Sequence, residues 1–125
     1  SSRLVVSYVS QSTDSIKGTI SEYSDANGID ESLLKSVLSK LDFSGVQLEK
    51  RMEHLSEGQK KKVLLAGSIC KKAHLYIWDE PLNYIDVISR IQIEELLKKY
   101  KPTIIFVEHD RMFSENIASK RIDLQ

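Results

Sequence analysis

The sequence predicts an α/β fold organised around a mainly parallel sheet, and three observations carry that expectation. Leu75–Trp78 and Thr103–Val107 are short, continuously apolar segments, the pattern of strands buried on both faces of a parallel sheet. Leu4–Val9 is β-branched and aromatic, the composition of a further strand. The stretches between them place apolar residues three and four apart, so helices alternate with strands.

The first strand ends on Ser10-Gln11. Ser12 to Gly28 is polar with turn signals and is expected to mix loop with a short helix around Ile20. Asp30 is placed to cap a helix whose Leu33, Leu34, Val37, Leu38 and Leu41 form one apolar face. Gly45 to His54 reads as loop. Ser56 to Lys72 reads as a helix with Val63, Leu64, Ala66, Ile69 and Cys70 apolar. Asp86 to Tyr100 is expected to be helical, capped by Asp86, with Ile88, Ile91, Leu96 and Leu97 inward. Lys98 and Lys99 suit its C-terminus, and Pro102 follows as a stop. Beyond Thr103–Val107, a helix is expected from Asp110 to Ala118 and a last strand over Lys120–Leu124.

At 125 residues the chain has the size of one domain or part of one. Its 18 basic and 18 acidic side chains cancel, so no net charge draws it to nucleic acid or anionic lipid. The single cysteine, Cys70, excludes an internal disulfide and fits a reducing, cytoplasmic setting. No apolar run approaches the roughly 20 residues of a membrane span, and no secretory signal is visible.

In open parallel sheets, ligands bind beyond the carboxyl ends of the strands. Those ends carry Gln11 on the first strand, Asp79 and Glu80 on the second, and Glu108, His109 and Asp110 on the third. A desolvated acid needs a cation or donors beside it. In phosphoryl transfer, one acid can hold Mg²⁺ and a second can orient and deprotonate the attacking water. The plainer alternative is a capping Asp and a solvated Glu. His109 is placed to reach a γ-phosphate, against the alternative of a partly buried structural histidine. His54 and His74 have no comparable setting and read as structural.

Leu55–Gln59 (LSEGQ) is the most specific local feature. Ser56 and Gln59 make an S-x-x-Q capping box, with Gly58 inside the first turn. Glycine there costs about 1 kcal/mol relative to alanine, which points to close approach of something to the backbone. Exposed N–H groups at a helix start attract phosphate. A capped helix and no more is the alternative, and Glu57 favours it because it repels anions. Lys60, Lys61 and Lys62 are expected to form a solvated basic face.

Taken in order, these features resemble the ATP-binding-cassette (ABC) ATPase domain, a P-loop NTPase fold. Gln11 matches its Q-loop. Ser56, Gly58 and Gln59 match the signature motif, with Glu57 where glycine is common. Leu75–Asp79 matches Walker B, Glu80 the catalytic glutamate, Leu82–Asp86 the D-loop and His109 the switch histidine. The D-loop, Leu82-Asn83-Tyr84-Ile85-Asp86, is similar to the ABC-F branch, which usually has T-N-H-L-D where membrane transporters favour T-S-A-L-D. With Val87-Ile88-Ser89-Arg90 after it, it resembles the second cassette of Vga/Lsa-type antibiotic-resistance proteins.

The resemblance implies ATP and Mg²⁺ as cofactors, with Asp79 and Gln11 on the metal side and Glu80, His109 and Gln11 catalytic. Ser56, Gly58, Gln59 and Asp86 would contact nucleotide. It also implies a cytoplasmic protein with a second cassette in the same chain and the ribosome as partner. Residues 12–55 would form a mostly helical lobe, and 1–11 with 56–125 the signature helix and ATPase core.

A Walker A loop, G-x-x-x-x-G-K-[ST], is missing, since none of the five glycines opens that pattern. The expectation is the C-terminal part of one cassette, inactive alone and prone to self-association through exposed edges. The start at Ser1-Ser2 reads as a truncation or processing boundary. Two other readings compete. One is the nucleotide-binding domain of a membrane ABC transporter, which upstream sequence would separate. The other is a non-catalytic protein-binding module.

Overall fold

A computed structural model describes residues 4–81, 85–100 and 104–107. Its sheet has three strands, β1 (Val6–Val9), β2 (Leu75–Asp79) and β3 (Ile104–Val107), in the order β1-β2-β3. Both pairings are parallel: Val9 lies opposite Trp78, and Asp79 opposite Val107. All three strands therefore end at one rim.

The sheet alternates rather than being buried throughout. Ser7, Val9, Tyr76 and Trp78 are buried, whereas Val6 and Tyr8 are exposed and Leu75 and Ile77 half-buried. The expectation of a strand buried on both faces thus holds for one face of β2 only. Side chains alternate across a strand, so one sheet face is covered and the other is largely open.

Helices α1 (Ile20–Asn27), α2 (Glu31–Lys40) and α3 (Gly45–Glu49) form the lobe, followed by a 3-10 turn at Met52–His54. Thr19 and Glu22 close a capping box on α1, and Gly28 ends it in the left-handed conformation at φ 64°. A side chain there would be strained, which is why glycine stands after the helix. Asp30 caps α2 as expected, accepting from the Leu33 N–H at 3.2 Å. Leu33 itself is exposed and the core face is Leu34, Val37, Leu38 and Leu41. The segment expected as loop, Gly45 to His54, is α3 plus the turn. Ser44 and Gln47 make a second S-x-x-Q box there, and five residues are too few for the apolar periodicity that reveals a helix.

The central element is α4 (Glu57–Cys70). It crosses the covered face of the sheet and is also packed by the lobe, so Lys61 through Ser68 are all buried. Gly67 permits this approach: a Cβ there would meet the Tyr23 ring of α1 at 3.3 Å. Ser68 sits between the layers. Its Oγ lies 2.8 Å from Ser7 Oγ and accepts the Trp78 indole N–H at 3.0 Å. His74 is structural, as read from sequence: its Nδ1 accepts the Val5 N–H at 2.9 Å, and its own N–H returns to Val5 O.

Helix α5 (Val87–Tyr100) follows the residues after β2. Its inward face is Ser89, Ile93, Leu96 and Leu97, while Ile88 and Ile91 are exposed. The helix is turned from the orientation that Ile88 and Ile91 implied, because Ser89, fully buried, is tied to its cap Asp86. Among the described residues, no helix is long and apolar enough to cross a membrane. The expected helix from Asp110 and strand over Lys120–Leu124 lie outside the described residues.

Candidate functional site

The parallel pairing brings the ends of β1 and β2 together. Gln11, two residues past β1, donates from Nε2 to Asp79 Oδ1 at 3.3 Å. Tyr8, on the open face of β1, sets its hydroxyl 3.5 Å from Asp79 Oδ2. One carboxylate at the last position of β2 therefore faces an amide and a phenol from the neighbouring strand. Tyr8 was not anticipated. Its role depends on which strand neighbours β1 and in what register, and a single sequence does not encode that pairing legibly.

Glu80 follows directly and has φ 48°. A non-glycine residue in this region costs on the order of 1–3 kcal/mol. Asp42 is the other such residue described, in the lobe. The positive φ at the residue after Asp79 takes Glu80 out of the extended strand backbone. Asn83 and His109 lie outside the described residues.

Around the start of α4 the S-x-x-Q box is formed. Ser56 Oγ accepts the Gln59 N–H at 3.1 Å, and Gln59 Oε1 accepts the Ser56 N–H at 3.0 Å. Gly58 lies in the first turn, half-buried. Glu57 does not stand free beside this turn. Its Oε2 accepts from Thr13 Oγ1 at 2.5 Å, and its Oε1 lies 3.9 Å from Lys60 Nζ.

The three lysines do not form a solvated face. Lys61 is fully buried and its Nζ reaches the carbonyls of Ser10 and Gln11 at 3.5 and 3.4 Å. Lys62, also buried, donates to Leu41 O at 2.9 Å and lies 3.9 Å from Asp86 Oδ1. A long aliphatic stem lets a lysine cross a packed layer and deliver its charge to a distant acceptor. Consecutive lysines look solvated in sequence because that crossing depends on what lies above the helix.

Asp86 is engaged at the start of α5. It accepts from Ser89 Oγ at 2.7 Å and the Ser89 N–H at 3.1 Å. These bonds, with Lys62 nearby, hold its carboxyl below the usual range. Cys70 offers no nucleophile: burial, with Asp30 nearby, pushes its thiol up to about 11.

The donor set fits a magnesium nucleotide. Mg²⁺ takes hard oxygen ligands and is usually held by one or two carboxylates together with phosphates and water. Asp79 supplies a carboxylate at the rim, and a Gln11 amide that donates through Nε2 retains Oε1 for a hard cation. Among the described residues no cluster of three or more acidic, His or Cys groups is poised to hold a metal without such partners.

The family model described as ABC transporter matches residues 1–83. The chain is 36% identical over 97 residues to the putative ATP-binding protein YdiF of Bacillus subtilis, covering 78% of this chain and 15% of that protein. It is 32% identical over 92 residues to ABC transporter F family member 2 of Arabidopsis thaliana, covering 74% and 14%. It is 33% identical over 89 residues to the ribosome protection protein VmlR of Bacillus subtilis, covering 71% and 16%. The chain thus spans only 14–16% of these relatives' length. In fold it resembles an RNase-L inhibitor structure, with a TM-score of 0.75 at 22% identity, covering 97% of this chain and 25% of that one. A complex of an archaeal ribosomal stalk protein with an archaeal ribosome recycling factor matches with a TM-score of 0.71 at 24% identity, covering 84% and 21%. The order of motifs, the parallel α/β layer and these relatives converge: the chain belongs to the ABC transporter family of ATP-binding-cassette domains, on its ABC-F branch.

Proposed function

We propose that the chain supplies the metal-side, water-side and signature elements of an ATP-hydrolysing cassette that acts on the ribosome. The observation that carries this is the Gln11–Asp79 contact at the shared rim of β1 and β2, with strained Glu80 next to it. Asp79 and Gln11 hold the Mg²⁺ side. Glu80 accepts the proton of the attacking water. His109 contacts the γ-phosphate. Ser56, Gly58 and Gln59 turn the start of α4 toward nucleotide held by a second cassette, and Asp86 belongs to the same facing surface. Bound Mg²⁺ neutralises phosphate charge during transfer. The residues of this chain orient the water, receive its proton and exclude competing geometry.

Support for the ribosome as target comes from the relative VmlR, a ribosome protection protein. Protection of the ribosome against an antibiotic is the form of that activity we favour, and the cytoplasm the place. These 125 residues contain no Walker A motif, so alone they are expected to bind ATP negligibly. Exposed Val6, Tyr8, Val87, Ile88 and Ile91 support self-association of the isolated chain.

The decisive variant is Glu80→Gln in the full-length protein. Loss of a general base lowers turnover by about 100- to 10,000-fold. Nucleotide binding should persist, and co-sedimentation with ribosomes should become stronger in ATP. Unaltered hydrolysis refutes the role of Glu80, and absence of ribosome co-sedimentation in every nucleotide state refutes the target.

A further inference from the structure

Helix α4 grips the segment that carries Gln11 at two points one helical turn apart. Glu57, in its first turn, accepts the hydroxyl of Thr13 at 2.5 Å. Lys61, four residues on, extends its ammonium to the carbonyls of Ser10 and Gln11 at 3.5 and 3.4 Å. Lys61 is 0% exposed and Thr13 6%, while the Glu57 side chain keeps 54% of its surface exposed at the edge of the layer. Residues i and i+4 share a helix face, so the two side chains reach the same segment from the same side. An ammonium inside a protein is tolerated where oxygen dipoles surround it, and strand-end carbonyls provide them here.

On its other side the gripped segment acts on the rim. The Gln11 backbone carbonyl faces Lys61, and the Gln11 side chain faces Asp79 at 3.3 Å. Lys61 thus bears on the backbone from which the amide projects. The same helix begins at Ser56 and carries Gly58 and Gln59 in its first turns.

We propose that Lys61 is a positioning residue for Gln11, with Glu57–Thr13 as the second point of the same clasp. The clasp joins the start of α4 to the Gln11 segment as one unit, so displacement of the signature turn is transmitted to the amide beside Asp79. This rests on the reading of Gln11 and Asp79 as the metal side of an ATPase site. It also gives Glu57 a task at a place where the family commonly has glycine: its carboxylate is spent on Thr13.

The test uses the full-length protein with Lys61→Met, which keeps the stem and removes the ammonium, and Thr13→Val, which removes only the hydroxyl. Amide hydrogen exchange without nucleotide and the Mg²⁺ dependence of ATP hydrolysis are read together. Each variant should speed exchange in residues 10–14 and leave residues 63–68 protected. Lys61→Met should raise the half-saturating Mg²⁺ concentration by about tenfold, the size of effect expected from a group supporting a metal ligand. In a Gln11→Ala background, Lys61→Met should cause no further change in Mg²⁺ dependence, because the two act through one amide. Unchanged exchange in residues 10–14, or Mg²⁺ effects of Lys61→Met and Gln11→Ala that multiply, overturns the proposal. Should Lys61→Met fail to fold, Thr13→Val decides by the same exchange readout. Should Gln11→Ala leave Mg²⁺ dependence unaltered, the metal-side reading fails, and exchange in residues 10–14 still judges the clasp.

Discussion

Replacing Ser68 by alanine tests how the strand that ends in Asp79 is held against α4. Ser68 Oγ accepts the Trp78 indole N–H at 3.0 Å and lies 2.8 Å from Ser7 Oγ. All three residues are buried, Trp78 completely. Alanine removes the acceptor of the Trp78 indole N–H and the hydroxyl partner of Ser7, whichever of the two serines donates. Leaving the buried Trp78 donor unpaired costs about 1–3 kcal/mol and losing the serine–serine bond about 1 kcal/mol more, so the loss should be about 2–4 kcal/mol in all. With a urea slope of about 2 kcal/mol per molar, the unfolding midpoint should fall by about 1–2 M. Trp78 is the chain's single tryptophan, so its fluorescence reports unfolding at the position in question. Ser39→Ala is the control. Its hydroxyl is exposed and bonds only within α2, and the change should stay within about 0.5 kcal/mol. A Ser68→Ala loss no larger than the control's would refute the assignment of Ser68 as the tie between sheet and helix.

Two further outcomes follow from charges outside the site. Glu53 accepts the Gly18 N–H at 2.7 Å, and this bond first, then its own backbone and Arg51, lower its carboxyl to about 2. A depressed carboxyl stabilises the fold above its unfolded value of 4.5, and that contribution disappears as pH falls through about 2. Glu53→Gln should therefore be less stable than the parent above pH 4.5, with the difference closing toward pH 2 in thermal unfolding. A difference independent of pH would show that the carboxylate charge is not responsible. Lys62 bridges the lobe, through Leu41 O at 2.9 Å, to the Asp86 region. Lys62→Met should cost about 1–3 kcal/mol, because the buried Leu41 carbonyl loses its donor, and urea unfolding measures it. A neutral result would mean that the lysine is held there only by packing.

Local signals were legible where one residue's chemistry suffices. The box of Ser56 and the caps of Asp30 and Asp86 need only a side-chain oxygen and an amide three residues on. The short helix at Ser44 used the same signal but lacked the length for apolar periodicity, so it read as loop. Ile88 and Ile91 looked inward because apolar spacing does not say which face meets the core, and Ser89, tied to Asp86, decides it. Lys61 and Lys62 looked solvated because charge predicts exposure until a second layer covers the stem.

By itself the sequence determined the alternation of helices and strands, the motif order and the placement of Gln11, Asp79 and Glu80 at strand ends. Those features depend on neighbours a few residues away or on the direction of a parallel strand. The tertiary structure decided which strands adjoin and which helix face is covered. It also decided that Tyr8 shares Asp79 with Gln11, and that Lys61 reaches back across some fifty residues of chain to the segment holding that glutamine. Contacts between distant segments form only when packing brings their backbones into register, and no local spacing records that register.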